Sequence, residues 1–169
     1  MRQVDAMGIP DLSAVTPTVP TTLEEILDLE AIKVLKVRYW QTLDAHMWSE
    51  FETLLTDEVT IEMDRAAFES LQAFMELNQS GMVGQRTMHQ AWGLPAIELY
   101  GDGMARGFWY MTATVRGDRF NHVERGVYED EYRKRDGVWL IDRINLTHSI
   151  VIEEDGSVPY QEGHWWEED

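Results

Sequence analysis

The apolar residues of this chain change period along its length, and that change limits the possible folds more than any other feature. Early on, Leu29, Ile32, Leu35, Tyr39 and Leu43 recur at three- and four-residue steps, which is one face of an α-helix. The second half reads differently. Four stretches, "TMHQAWGLPAIELYG", "ARGFWYMTATVRG", "HVERGVYEDEYRKR" and "VWLIDRINLTHSIVIE", are rich in β-branched and aromatic residues. They are separated by "GDG", "RGD" and "RDG", which are turn signals. Asp136-Gly137 stands between two of these patterns, the strongest short hairpin signal. Helices followed by an antiparallel meander predict an α+β fold, with three helices on the concave side of one strongly curved, mainly antiparallel sheet. Strands this long favour strong curvature and bulges.

The helical half divides further. In "TTLEE", Thr22 and Glu25 have capping-box spacing, so the first helix starts there. Lys33, Lys36 and Arg38 lie off that face. A short second helix is predicted over "WSEFETLL", a strand over "VTIEM", and a third helix over "AAFESLQAFMEL", ending near Ser80-Gly81. Residues 1–20 carry Pro10, Pro17 and Pro20 without periodicity and read as a flexible arm. Residues 21–155 form one domain, and 156–169 form an acidic tail in which Trp165 and Trp166 either stay loose or fold back over an opening. No repeat or second domain is evident.

Composition excludes several functions. A net charge of −17 argues against nucleic acid and anionic membrane surfaces, which are bound through Lys and Arg. No apolar run approaches the roughly 18 residues of a membrane span, and the N-terminus lacks a signal-peptide pattern. The absence of cysteine removes disulfides, thiolate nucleophiles and thiolate metal sites, and fits a cytoplasmic protein. No H-E-x-x-H, G-x-S-x-G, phosphate loop or dinucleotide fingerprint occurs, so neither metal nor cofactor is expected.

Within "RYWQTLDAHMW", Asp44 is out of keeping with its surroundings. A carboxylate near a helix C-terminus opposes the helix dipole, so helix stability does not explain it. It is either a solvated helix end or a group held in a pocket. A helix layer over a curved sheet encloses a cavity, the usual place for a small ligand. Tyr39 and Asp44 from the first helix, His89 from "TMHQAW", and Arg143, Asn145 and His148 from the last strand compete to line it. Strand alternation puts Asn145 and His148 on opposite faces unless a bulge intervenes. Each has a plain alternative: a Tyr on an apolar face is most often core, and a lone strand His is usually structural, the reading that His46 and His122 receive.

"LEAIKVLKVRYWQTLDAHMWSEFETLLTDEV" resembles the first two helices of SnoaL-like proteins, a branch of the nuclear transport factor 2-like superfamily. "GVYEDEYRKRDGVWLIDR" resembles their penultimate hairpin, with its Y-x-D-x-Y-x-x-x-DG-x-W pattern. "MHQAW" stands where the dehydrating members carry a catalytic His: bile-acid 7α-dehydratases, scytalone dehydratase and hexachlorocyclohexane dehydrochlorinase. The resemblance spans residues 22 to about 152 and implies a cone-shaped, cystatin-like α+β barrel. It also implies a cofactor-independent lyase of the cytoplasm that eliminates water from a hydroxylated polycyclic or polyketide-like carbonyl compound.

On this resemblance Asp44 and His89 form a dyad. His89 removes a proton next to the carbonyl, Asp44 orients it, and Tyr39 hydrogen-bonds a substrate oxygen. His148 occupies the position of an Arg in the bile-acid enzymes, and Phe120 lies nearest their pocket tyrosine. Asn145, Trp92, Tyr110 and Tyr128 complete the expected substrate-binding set. The same residues permit an isomerase or cyclase, and seven tryptophans with nine methionines also permit a passive binding module. Trp109, Met111 and Ala113 alternate with Phe108, Tyr110 and Thr112, a strand apolar on both faces, which predicts a homodimer or homotrimer.

Overall fold

Thr22 opens the first helix through a full capping box: its hydroxyl accepts from the Glu25 N–H at 3.2 Å, and the Glu25 carboxylate accepts from the Thr22 N–H at 3.0 Å. The computed structural model describes residues 15–64, 66–118 and 121–155. Its helices are α1 (Leu23–Asp44), α2 (Trp48–Glu52) and α3 (Leu71–Gly81). Its strands are β1 (Leu55–Met63), β2 (Ala66–Ala67), β3 (Gln85–Ala91), β4 (Ala96–Gly101), β5 (Met104–Gly117), β6 (Asn121–Arg135) and β7 (Val138–Glu153).

The α+β architecture is as expected, three helices against a curved seven-stranded sheet. The strand order is β2-β1-β7-β6-β5-β3, with β4 also pairing β5, and the sheet is not closed into a barrel. All pairings are antiparallel except β1 with β7. Register shifts between β6 and β7 at Arg125/Gly126 and Glu131/Tyr132 are bulges, which bend long strands and increase their twist. Asp136-Gly137 forms the β6–β7 turn with both residues at positive φ. The core lies between α1 and the concave face, where Leu29, Ile32, Leu35, Tyr39 and Leu43 meet Trp109, Met111, Tyr128, Ile144 and Leu146.

Three local expectations change. The third helix begins at Leu71, because Ser70 caps it by accepting from the Ala73 N–H at 3.1 Å. Upstream, Asp64 turns the chain at φ 46° and sends Ala66–Ala67 back along β1. The pattern over 87–101 divides into β3 and β4, which pair with successive parts of β5 on either side of Gly93 at φ 88°. Lys36, read as lying off the apolar face, is wholly buried, its Nζ 2.6 Å from Asp130 Oδ2. That pair extends through Tyr132, which donates to Asp130 at 3.0 Å, and Trp109, whose Nε1 donates to Tyr132 at 2.8 Å. Burial pushes the Lys36 ammonium down to about 8 against the opposing charge of Asp130.

Of the N-terminal arm, residues 15–20 are described. The Thr18 N–H donates to Ile97 O and its hydroxyl accepts from the Leu99 N–H, both at 2.8 Å, so this part runs along β4. Residues 1–14, the tail 156–169 and Phe120 lie outside the described residues. Among the described residues no helix is long and apolar enough to cross a membrane.

Candidate active site

α1 ends at Asp44 because the chain reverses immediately afterwards. His46 adopts a left-handed conformation at φ 56°, and the Met47 N–H closes back on Thr42 O at 2.8 Å. This delivers the Asp44 carboxylate to β3, not to solvent. There it grips one residue twice: Asp44 Oδ2 accepts from the His89 N–H at 2.9 Å, and Asp44 Oδ1 lies 2.6 Å from His89 Nδ1. Backbone and ring are thereby fixed together. A carboxylate at Nδ1 favours a proton on that nitrogen, which leaves Nε2 to act as a base. The indole of Trp40 lies parallel to the imidazole, with centroids 6.3 Å apart.

A second pair repeats this grip. Asp64, at the β1–β2 turn, accepts from the His148 N–H through Oδ1 and approaches His148 Nδ1 with Oδ2, both at 2.7 Å. Here the other ring nitrogen also faces a carboxylate, with His148 Nε2 3.4 Å from Glu124 Oε2. Glu124 Oε1 lies 2.7 Å from His122 Nε2. Burial opposes charge on His148, but the hydrogen bonds and negative charges of Asp64 and Glu124 outweigh it and raise the imidazolium to about 9. Burial likewise pushes Glu124 up, yet its two histidine partners hold it well below the usual carboxylate range.

The two pairs share the concave face. Across the sheet His89 pairs with Ala113, and Ala113 with Glu124. In the next inward row Ala91 pairs with Met111, Met111 with Gly126, and Gly126 with His148. Ala113, Met111 and Gly126 therefore lie between the two clusters. Alongside lie Tyr39, Trp40 and Tyr128, with Trp40 edge-on to Tyr128 at 6.1 Å and Tyr39 edge-on to it at 6.0 Å. Tyr39 is fully buried, and its hydroxyl, beside that of Tyr128, makes no well-formed hydrogen bond among the described residues. Burial raises the phenol of Tyr39 well above its ordinary value, so it is a donor.

Of the residues singled out in the sequence, Asp44, His89, Tyr39, Tyr128 and His148 therefore reach the concave side. Asn145 does not: Ile144, Leu146 and His148 point to the core between the two bulges, which leaves Asn145 on the convex face. Tyr110 shares that face with Phe108 and Thr112 through the alternation of β5. Trp92 is 66% exposed, with the Arg125 guanidinium over its ring, and lines no interior. Arg143 also faces outward, between Glu62 and Glu131. Phe108 is 1% exposed, with the Arg106 guanidinium 4.5 Å from its ring centroid.

Sequence reasoning missed Asp64 and Glu124 and read His122 as structural. Acidic residues in so acidic a chain stand out little. The only signal was His122-x-Glu124, two titratable groups one strand period apart and so on one face. Among the described residues no group of three or more His, Asp or Glu is arranged to hold a metal ion. A cleft of about 250 Å³ between Pro17, Thr18, Ile26, Leu29 and Ile97 lies at the opposite end of α1 from Asp44 and contains neither pair.

Comparison with solved structures finds the same fold. A type 2 hexachlorocyclohexane dehydrochlorinase, LinA, superimposes with a TM-score of 0.71 at 16% identity, covering 80% of this chain and 94% of the other. A Novosphingobium aromaticivorans protein provisionally designated a scytalone dehydratase gives 0.71 at 18% identity, covering 85% and 97%. LinA-type3 of Novosphingobium barchaimii gives 0.69 at 15% identity, covering 80% and 95%. Identities this low establish the fold alone. The family rests on the sequence profile of the SnoaL-like domain, which matches residues 24–145. The chain therefore belongs to the SnoaL-like family, within the nuclear transport factor 2-like superfamily.

Proposed function

We propose that the protein is a cofactor-independent lyase, a dehydratase of hydroxylated carbonyl compounds with polycyclic or polyketide-like character. The observation that carries this reading is the two-point grip of Asp44 on His89, at 2.9 and 2.6 Å. Such a grip on backbone and ring has little purpose in a solvated helix end. It matches what a general base needs: a fixed tautomer, a fixed ring plane, and a counter-charge for the imidazolium formed during reaction.

The chemistry follows from the placement. His89 Nε2 takes the proton on the carbon beside a carbonyl, and Asp44 stabilises the charge that develops on the ring. The Tyr39 hydroxyl, buried and without a well-formed partner among the described residues, donates to the oxygen on which negative charge accumulates. Expulsion of the β-hydroxyl then forms the double bond. The dehydrochlorinase and the provisionally designated dehydratase among the structural relatives support elimination on this fold, and fold alone does not assign it.

The test uses the β-hydroxy derivative of α-tetralone, whose dehydration product tautomerises to a naphthol and is read by absorbance. His89→Ala should lower kcat/KM by about 10²–10⁴-fold with an unchanged circular dichroism spectrum. Equal rates for the two proteins would refute the dyad. A product of unchanged mass would reassign the site to isomerisation or cyclisation.

A further inference from the structure

We infer that His148 is the general acid that protonates the departing oxygen, held as a cation between Asp64 and Glu124, and that the substrate is uncharged at that end. This rests on the elimination reading above and assigns its second half to a cluster of four residues: Asp64, His148, Glu124 and His122.

The geometry distinguishes the two ends of the imidazole. Nδ1 is held tightly by Asp64 at 2.7 Å, while Nε2 lies 3.4 Å from Glu124 Oε2, longer than the usual 2.7–2.9 Å of a charge-assisted bond. The Nε2–H, fixed in the ring plane, is held at the longer distance and is therefore the proton for which a ligand oxygen can compete with Glu124. Glu124 and His148 stand beside Ala113 and Gly126 in the sheet, and His89 lies on the far side of Ala113, two strands from Glu124 and roughly 10 Å away between backbones. A base on one side of Ala113 and an acid on the other suit removal of a proton and a hydroxyl from adjacent carbons.

The charged groups facing His148 select the role. Asp64 comes from the β1–β2 turn and Glu124 from β6, His122 binds the other oxygen of Glu124, and Asp44 with His89 lies beyond Ala113. Asp64, His148 and Glu124 together carry about one negative charge when the imidazole is protonated. That sum repels a carboxylate or phosphate and accepts a neutral hydroxyl. The raised pKa of His148, about 9, keeps the acid charged at neutral pH.

Atoms and electrons balance without a co-reactant. His89 Nε2 takes the proton from carbon, and the C–H pair becomes the new C=C bond. The β C–O bond breaks, and the oxygen keeps that pair, takes the Nε2 proton of His148 and leaves as water. His89 is then charged and His148 neutral, and transfer of one proton from the first to the second through solvent restores both.

The experiment compares β-hydroxy- and β-chloro-α-tetralone with wild-type protein, His148→Gln, Glu124→Gln and His89→Ala, together with a ¹⁵N NMR titration of the histidines. Chloride leaves without a proton. His148→Gln should therefore lose at least 100-fold with the hydroxy ketone and less than tenfold with the chloro ketone, whereas His89→Ala loses both. Equal losses of His148→Gln on the two ketones, or no loss on either, would overturn the acid role. Inertness of the wild-type protein, or activity of His89→Ala equal to it, would remove the elimination reading instead. The titration decides independently of any substrate: His148 should remain doubly protonated past pH 8 and titrate lower in Glu124→Gln. A neutral His148 at pH 7 in wild-type protein would end the proposal.

Discussion

Two aspartate–histidine pairs in this molecule are built the same way, and their surroundings set them apart. In each, one carboxylate takes both the backbone N–H and Nδ1 of its histidine. Asp44 and His89 sit at the rim, with side chains 23% and 9% exposed, and His89 meets one carboxylate and one indole. Asp64 and His148 sit inside, at 0% and 4%, and His148 meets two carboxylates. Identical local geometry thus yields a histidine with a single acidic partner at the rim and a histidinium clamped from both sides within. The number of opposing charges and the depth of burial decide, not the hydrogen bond that the pairs share.

The sharpest way to break this comparison is a crossed substitution. Asp44→Asn should cut kcat/KM by about 10²–10⁴-fold, because an amide neither enforces the Nδ1–H tautomer nor compensates imidazolium charge. Its loss of stability should stay near 1 kcal/mol, because the site is partly solvated. Asp64→Asn should instead put its larger cost on stability, destabilising the fold by about 2–4 kcal/mol in urea unfolding beside its loss of activity, because it leaves a buried cation short of a partner. Asparagine tolerates the φ of 46° at this position, so the loss would report the charge and not backbone strain. Matching profiles for the two variants would show that the pairs are equivalent after all.

A pH series sharpens the same contrast. His148 has its folded pKa raised from 6.5 to about 9, so its stabilisation is fully present below pH 6.5 and is lost as pH rises through 9. Glu124 is depressed, so its contribution is present above 4.5 and is lost as pH falls through its lowered value. Lys36, lowered to about 8 by burial, runs the other way and recovers stability between pH 8 and 10.5. The difference in unfolding free energy between wild-type protein and His148→Gln cancels the Lys36 contribution. It should reach roughly 3 kcal/mol near pH 6 and shrink by pH 9.5. A flat difference would mean that His148 is not held charged. The smallest effect is expected for Trp40→Leu, which removes the plane against His89 but none of its hydrogen bonds. Turnover should fall roughly tenfold or less, mainly in kcat.

Much of this arrangement was legible beforehand. The change of period announced helices then strands, and the apolar steps from Leu29 to Leu43 picked out the buried side of α1. The dipole argument made Asp44 anomalous, and resemblance placed His89 beside it. Other residues misled for definite reasons. Lys36, off the apolar face by its spacing, gave no sign of burial because its partner, Asp130, lies far along the chain on β6. Asp130 belongs to the Y-x-D-x-Y pattern, which was recognisable as a resemblance but silent about what the aspartate pairs with. Tyr110 and Asn145 were plausible ligands by type, yet strand parity turns them to the convex side. Asp64 left no trace in a chain holding 31 acidic residues, since a hairpin turn accounts for an aspartate at that point.

By itself, then, the sequence determined the class of fold, the cap of α1, the Asp136-Gly137 hairpin and the face of α1 that is buried. These follow from interactions within a few residues: periodicity, capping spacing and positive-φ turns. Only the tertiary structure decided which carboxylate meets which imidazole, which lysine is buried, and where β7 bulges so that His148 shares a face with Ile144 and Leu146. Those are pairings between residues distant in sequence, 45 apart for Asp44 with His89 and 84 for Asp64 with His148. Burial, which supplies much of the electrostatics, exists only once the sheet has curved around the helices.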